Sequence, residues 1–382
     1  MIPYGRQTIS DDDIAAVEAV LRSDFLTQGP VCPRFEQAVA DKVDAQHAVA
    51  VNSATSALHI ACLALDLRPG DTLWTSPITF VASANCGLYC GADVAFVDID
   101  PGTFNICGKA FEAKVEKAAK EGRLPKVLVA VHMCGQSPDM QHIAAIARQH
   151  GIRIVEDASH SIGAQYQGGP VGNCAYSDIT VFSFHPVKII TTAEGGMAVT
   201  NDAELAARME RLRSHGITRD PALMTHESDG PWYYQQLELG WNYRITEMQA
   251  ALGLSQLDQL DGFIARRRVL ADAYDVALND LPIELPMRLT GAASSWHLYV
   301  VRLHDETRHR AVFEMLRERE VGVNLHYIPV HLQPHYQTLG FAAGDFPLAE
   351  DYYARAISIP LYAGLTDEAQ ETVVAALKEA LS

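Results

Sequence analysis

The chain predicts an α/β fold, with a large, mostly parallel sheet domain followed by a smaller C-terminal α+β domain. Two observations lead there. Short β-branched runs recur at residues 48–51, 72–75, 94–97, 127–131, 152–155, 179–182 and 197–200, each apolar along its length rather than alternating. Strands covered on both faces read this way. Amphipathic helical patterns separate several of these runs, as crossover connections between parallel strands require. In such sheets ligands lie at the carboxyl ends of the strands.

Before the sheet, an arm of residues 1–9 leads to a helix opened by Ser10 and an acidic first turn. Ile14, Val17, Val20 and Leu21 give that helix an apolar stripe. The segment FLTQGP, 25–30, reads as a loop by its Gly-Pro ending. A second helix at 33–44 would bury Phe35, Val39 and Val43. The clearest helical signal is SPDMQHIAAIARQHG, with Ser137 as N-cap, Pro138 at the first helical position and Gly151 as terminator. A long helical pattern at 244–278 carries three consecutive arginines, Arg266 to Arg268. After it come WHLYVVRL, a helix at 308–317, VGVNLHYIPVH and a last helix beyond Thr366. The boundary is expected within the long helix, giving a large domain at 1–255 and a small one at 256–382.

Composition narrows the function. The hydrophobic fraction of 48% and charged fraction of 20% are those of a globular protein. A formal net charge of −17 argues against broad nucleic-acid binding, which needs a basic face. It leaves room for anionic small ligands at helix N-termini. Seven cysteines lie without a framework, and Cys86 and Cys90 have no second pair nearby, so neither a disulfide scaffold nor a zinc cluster is expected. The polar, acidic start and the lack of a span-length apolar run predict no membrane segment and a cytoplasmic location.

The chemistry gathers at predicted strand ends. In VFSFHPVKIITTAEGG, Lys188 sits among apolar neighbours, where low dielectric disfavours its charged form. A neutral amine forms a Schiff base with an aldehyde. A lone loop lysine is ordinarily only solvated; here Ser183 offers a hydroxyl to a phosphate, and Gly195 and Gly196 permit a sharp turn. In VEDASH, Asp157 could keep a pyridine nitrogen protonated, with Glu156 competing for the role from the opposite strand face. His160 could bond a ring hydroxyl or the carboxylate, or be a satisfied polar residue. A lysine for an aldehyde and an acid for a pyridinium are the parts that pyridoxal phosphate chemistry requires, so an aminotransferase is expected.

Three further stretches join in. VNSATSALHIA opens a helix whose N–H groups, with Thr55 and Ser56, suit a phosphate, or it is an ordinary cap. In SPITFVASAN, Phe80 could stack on a flat ring or lie in the core. His326, His331 and His335 have metal-like spacing, but Pro329 and Pro334 interrupt a helix there, and no metal site is expected. No GxxxxGK[ST] loop is present, and no GxGxxG follows the first strand.

Together NSATSALH, TFVASAN, HMCGQSPDM, VEDASHSIGA, FSFHPVKIITTAEGG, GWNYRITEMQAALGLSQL and LHYIPVHLQP resemble the DegT/StrS family of sugar-nucleotide aminotransferases, over nearly the whole chain. The resemblance implies fold type I of the pyridoxal-phosphate enzymes. It also implies a covalent internal aldimine on Lys188, with pyridoxamine 5′-phosphate as the intermediate carrier and L-glutamate and a nucleotide-linked ketosugar as substrates. At matching positions Asp157 would meet the pyridine nitrogen, Phe80 would stack, and Ala54, Thr55 and Ser183 would hold the phosphate. Asn242 would reach the phosphate of a neighbouring subunit, making a homodimer with shared active sites. Tyr4 and Asp24, Phe25, Leu26 and Thr27 resemble sugar-nucleotide contacts, and one of the three histidines, His326 the candidate, would face substrate. Family members usually carry Gly-Thr where this chain has Ala54-Thr55. That departure, FLTQGP and the FSFH wording are similar to the branch that makes UDP-4-amino-4,6-dideoxy-N-acetyl-β-L-altrosamine, toward pseudaminic acid.

Overall fold

The structure, a computed structural model, describes residues 1–382. All seven predicted strands form, and they form one sheet: β1 His47–Val51, β2 Thr72–Thr75, β3 Asp93–Phe96, β4 Val127–Val131, β5 Arg153–Asp157, β6 Ile179–Ser183 and β7 Gly196–Thr200. Their spatial order is β1-β7-β6-β5-β4-β2-β3. Only β7 runs against its neighbours, pairing antiparallel with both β1 and β6. Alternation divides the two faces. Leu128, Ala130, Ile154 and Phe182 enter one core with Phe35 and Val39. Val127, Val129, Val155 and Val181 enter a second core with Val49, Val51 and Leu58.

Helices cover both faces: α1 Asp11–Leu21, α2 Val31–Val43, α3 Ala54–Ala64, α4 Ala82–Tyr89, α5 Gly108–Glu121, α6 Met140–Gln149 and α7 Ala203–Arg213. The start of α1 is a capping box, Ser10 accepting from Asp13 N while Asp13 accepts from Ser10 N. Its expected apolar stripe is not a buried one. Val20 is buried, but Ile14 and Leu21 are exposed. The inward position is taken by Asp13, which accepts bonds from Ser255 and Gln256. Phe35, Val39 and Val43 of α2 are buried as expected. Helix α6 begins later than its Ser-Pro signal suggests: Asp139 is the N-cap, accepting from His142 N, and Gly151 follows in the left-handed region at φ +68°.

The long helical pattern is two helices, α8 Glu247–Asp258 and α9 Leu260–Leu278. Thr246 and Gln249 form the capping box that starts α8, so residues 244–246 lie outside it. Leu257, Leu260 and Ile264 belong to the core around Phe35, whereas Leu270, Ala271 and Tyr274 join a third core. That core is built on an antiparallel sheet of β8 Ile283–Glu284, β9 Tyr299–Leu303 and β10 Ala356–Ile359, with β9 central, and on helices α10 His309–Glu318 and α11 Asp367–Leu381. The N-terminal arm pairs here. Ile2 bridges to Val321, and Leu361 N donates to Tyr4 O. Tyr4 is thereby carried to the mouth of the cavity described next.

Candidate active site

A cavity of about 570 Å³ opens where the strand ends of the large sheet meet the C-terminal segments. That size suits a small-molecule site. Its lining includes Tyr4, Ala54, Thr55, Phe80, Asp157, His160, Ser183, Lys188 and His326, nine of the residues singled out from sequence.

Lys188 is placed by a closed loop between β6 and β7. Its own N–H turns back to His185 O, and Ile189 and Ile190 anchor the next step in the core. Thr191 Oγ1 and Thr192 N both donate to Phe184 O, and Thr192 Oγ1 donates to Glu194 O. The paired threonines thus tie the loop to its base. The turn itself differs from the expected one: the left-handed residue is Ala193, at φ +66°. Gly196 serves close approach instead, since a Cβ there would lie 2.5 Å from Ala54 N. Burial lowers the Lys188 amine from 10.5 to about 8, against the opposing pull of the Asp157 charge.

Asp157 ends β5 on the α3/α4 side of the sheet, and Glu156 takes the other face, as alternation requires. Glu156 is consumed there by His132 Nε2 at 2.8 Å, Ser177 and Thr180. That leaves Asp157 as the buried acid of the cavity, Glu194 of the lining being exposed. Its Oδ2 accepts from Ser83 at 2.6 Å and its Oδ1 from the Ser159 hydroxyl at 2.5 Å. No basic side chain pairs with it, so a cationic ring nitrogen would meet an unneutralised carboxylate.

Around this pair the lining mixes polar and apolar side chains, with one further carboxylate, the exposed Glu194. The N-terminus of α3 opens onto the cavity, with Ser53 as cap accepting from Ser56 N and Ala54 and Thr55 as its first residues. Its early N–H groups and the Ser183 hydroxyl line the same cavity, a donor set that suits a phosphate. Phe80 is 57% exposed and lines the cavity, so the core reading of this residue is wrong. His160 donates to or accepts from Tyr327 Oη at 3.2 Å, and its Nδ1 is buried without a partner. Burial, with the nearby Lys188 charge, holds His160 well below its usual range, and moves His326 to about 4. Both rings are neutral at physiological pH.

Five of the sequence candidates lie elsewhere. Asp24, Phe25, Leu26 and Thr27 are exposed and line no part of the cavity, because the loop packs back on α8: Glu247 N donates to Leu26 O. Asn242 is also exposed and away from the cavity, bridging to Ser214. Of the other two histidines, buried His331 pairs with Glu350 at 3.0 Å and His335 is exposed; the chain gathers no metal-binding cluster.

The sequence reading missed Ser83, Ser159, His297 and Tyr327. Ser83 and Ser159 sit beside recognised residues, in TFVASAN and EDASH, and helix register or the Asp-x-Ser spacing could have revealed them. Tyr327 meets His160 across a separation of 167 residues, and the His297 ring lies tilted against His160 with centroids 4.3 Å apart. No local pattern encodes such contacts.

These parts have counterparts in known proteins. A family profile described as the DegT/DnrJ/EryC1/StrS aminotransferase family matches residues 7–378. The chain belongs to this family. It is 38% identical to the spore coat polysaccharide biosynthesis protein SpsC of Bacillus subtilis, covering 99% of this chain and 96% of SpsC. It superposes on Helicobacter pylori PseC, an aminotransferase involved in pseudaminic acid biosynthesis, with a TM-score of 0.92 and 32% identity over 100% and 99% of the two chains. Spr1654 of Streptococcus pneumoniae, solved in its PMP form, matches at a TM-score of 0.91 and 28% identity over 100% and 99%. The fold is that of the pyridoxal-phosphate sugar aminotransferases, and the family's cofactor is pyridoxal 5′-phosphate. The residues present fit that group: a buried lysine amine lowered to about 8, a carboxylate in no salt bridge, and a helix N-terminus for the phosphate. No helix of the chain is long and apolar enough to cross a membrane.

Proposed function

We propose that this chain moves the amino group of L-glutamate to C4 of a UDP-linked 4-keto-6-deoxy N-acetyl hexose, a step toward pseudaminic acid. The observation that carries the transfer chemistry is that Lys188 and Asp157 line one cavity, with burial holding the lysine amine near neutrality. The choice of sugar is supported by the full-length likeness to PseC. A second reading, another nucleotide ketosugar, is favoured by the higher identity to SpsC, whose name points to spore coat polysaccharide.

When bound, pyridoxal phosphate supplies a carbonyl and an electron-accepting ring. Lys188 would hold it, and the Nζ of Lys188 is the group in the cavity that could take a proton from the donor α-carbon. Asp157 would meet the ring nitrogen and hold a proton there. The first N–H groups of α3, at Ala54 and Thr55, and the Ser183 hydroxyl receive the phosphate. Phe80 would cover the ring face. Neutral His160 offers a hydrogen bond without adding charge. Tyr4 and His326, both in the cavity lining, would face the sugar. Asn242 and the segment Asp24 to Thr27, exposed on one chain, serve the site of a second copy in a homodimer. The exposed apolar side chains of Ile14 and Leu21 are available to that interface. The enzyme works in the cytoplasm.

The test incubates the holoenzyme with L-glutamate and, separately, UDP-linked 4-keto and 3-keto sugars, with the product read by NMR. An amine at C4 of the 4-keto-6-deoxy N-acetyl hexose is expected. Turnover only with a different ketosugar selects the second reading. No 2-oxoglutarate with any acceptor refutes both.

A further inference from the structure

Behind the cavity acid lies a row of hydroxyls that the transfer chemistry, as described, does not use. Thr79 Oγ1 lies 2.6 Å from Ser83 Oγ, and Ser83 Oγ lies 2.6 Å from Asp157 Oδ2. All three residues are buried, Ser83 completely, at 0% exposure, and Thr79 also lines the cavity. The direction of the row follows from counting protons. An ionised carboxylate only accepts, and a serine hydroxyl has one proton to give. Ser83 therefore spends its proton on Asp157, and the Thr79–Ser83 contact can be made only with Thr79 donating. The row runs Thr79 to Ser83 to Asp157. It holds in this sense only while the carboxylate is charged; a protonated Asp157 could itself donate to Ser83 and reverse it.

The consequence bears on the proton shared between the carboxylate and a ring nitrogen. Each hydroxyl that donates to the carboxylate stabilises its anionic form, and a donor that is itself accepting a bond donates more strongly. Two hydroxyls in series on Oδ2, with the Ser159 hydroxyl on Oδ1, therefore favour a carboxylate that leaves the proton on the ring. They also fix the plane of the carboxylate, which enters no salt bridge.

We propose that Ser83 and, through it, Thr79 are positioning residues that aim the Asp157 carboxylate and occupy its Oδ2, and so keep the ring nitrogen of the bound cofactor protonated. The proposal rests on the reading that Asp157 faces that nitrogen. Neither serine nor threonine touches the reacting atoms.

The test reconstitutes the holoenzyme with pyridoxal phosphate carrying ¹⁵N in the ring and records the nitrogen chemical shift against pH. The wild type is expected at the protonated position. In Ser83→Ala the resonance moves toward the unprotonated position, and single-turnover proton transfer from glutamate slows about tenfold, the scale of one lost hydrogen bond to a charged group. Thr79→Val moves it in the same direction by less. Ser83→Thr, which keeps the hydroxyl, restores the wild-type position. Asp157→Asn separates the two ideas. If it leaves the resonance unmoved, the assignment of Asp157 to the nitrogen fails. If it moves the resonance while Ser83→Ala, folded and loaded with cofactor, does not, the proposal for Ser83 is overturned. A Ser83→Ala variant that slows turnover with an unmoved resonance also overturns it, since that is what loosened packing alone would do.

Discussion

Removing the charge of Asp157 is expected to make the apo-enzyme capture its cofactor faster at neutral pH, even as it slows the loaded enzyme. The reason lies in two opposing influences on Lys188. Burial disfavours its ammonium form and lowers the amine from 10.5 to about 8, while the Asp157 charge resists that shift. At pH 7, an amine with a pKa of about 8 is neutral in roughly one molecule in ten, against roughly one in three thousand at the ordinary value. The structure thus supplies about a 300-fold gain in reactive amine, equivalent to about 3 kcal/mol. Asp157→Asn takes away the resisting charge, so the midpoint drops below about 8 and the neutral fraction at pH 7 rises further. The assay mixes apo-enzyme with pyridoxal phosphate in a stopped-flow spectrometer and follows the lysine-linked absorbance from pH 6 to 10. The wild-type rate should climb with pH and level off above about 8, with the Asp157→Asn curve displaced to lower pH. A wild-type midpoint near 10.5, or a displacement to higher pH in the variant, would refute the reasoning.

Other outcomes follow from the same geometry. Lys188→Met removes an amine that is costly to bury, so apo-protein carrying it should gain on the order of 1–3 kcal/mol in urea unfolding at pH 7. The gain should shrink as pH rises from about 8 toward 10.5, where the wild-type amine is neutral folded and increasingly neutral unfolded. Gly196→Ala puts a Cβ 2.5 Å from Ala54 N and from Ser53 C, pushing the start of α3 away from β7. Stability should fall by about 1–3 kcal/mol, and equilibrium dialysis should show weaker pyridoxal phosphate binding. Glu247→Ala strips the acceptor from Val31 N, at 2.7 Å, and Cys32 N, at 3.1 Å, at a cost of about 2 kcal/mol read from the denaturant midpoint. The backbone bond from Glu247 N to Leu26 O survives this change, so the loss should fall on the start of α2.

Much of this arrangement was legible in the chain. Seven apolar runs became the seven strands of one sheet because each is hydrophobic on both faces, a property that local sequence carries in full. The same locality made Lys188, Asp157, Ala54, Thr55 and Ser183 readable, since strand ends converge on one side of such a sheet. Glu156 and Asp157 could be ranked only by face, and His132, on the neighbouring strand's end, decided between them. What escaped was of two kinds. Helix boundaries moved where side-chain caps, rather than periodicity, set them, as at Asp139 and Thr246. Contacts between the large sheet and the C-terminal segments, such as Tyr327 with His160, depend on how two separately patterned units dock. The exposed stripe of Ile14 and Leu21 has a related cause: periodicity reports that a face is apolar, not which surface covers it.

The central claim is that Lys188 and the cavity around it take an amino group from an amino acid and hold it on a cofactor. The most direct measurement is the visible spectrum of purified holoenzyme before and after L-glutamate, with no sugar present. The account predicts a yellow, lysine-linked form that bleaches to a pyridoxamine form with one equivalent of 2-oxoglutarate released, and no yellow form in Lys188→Ala. A spectrum indifferent to glutamate, or a yellow form that persists without Lys188, would contradict it.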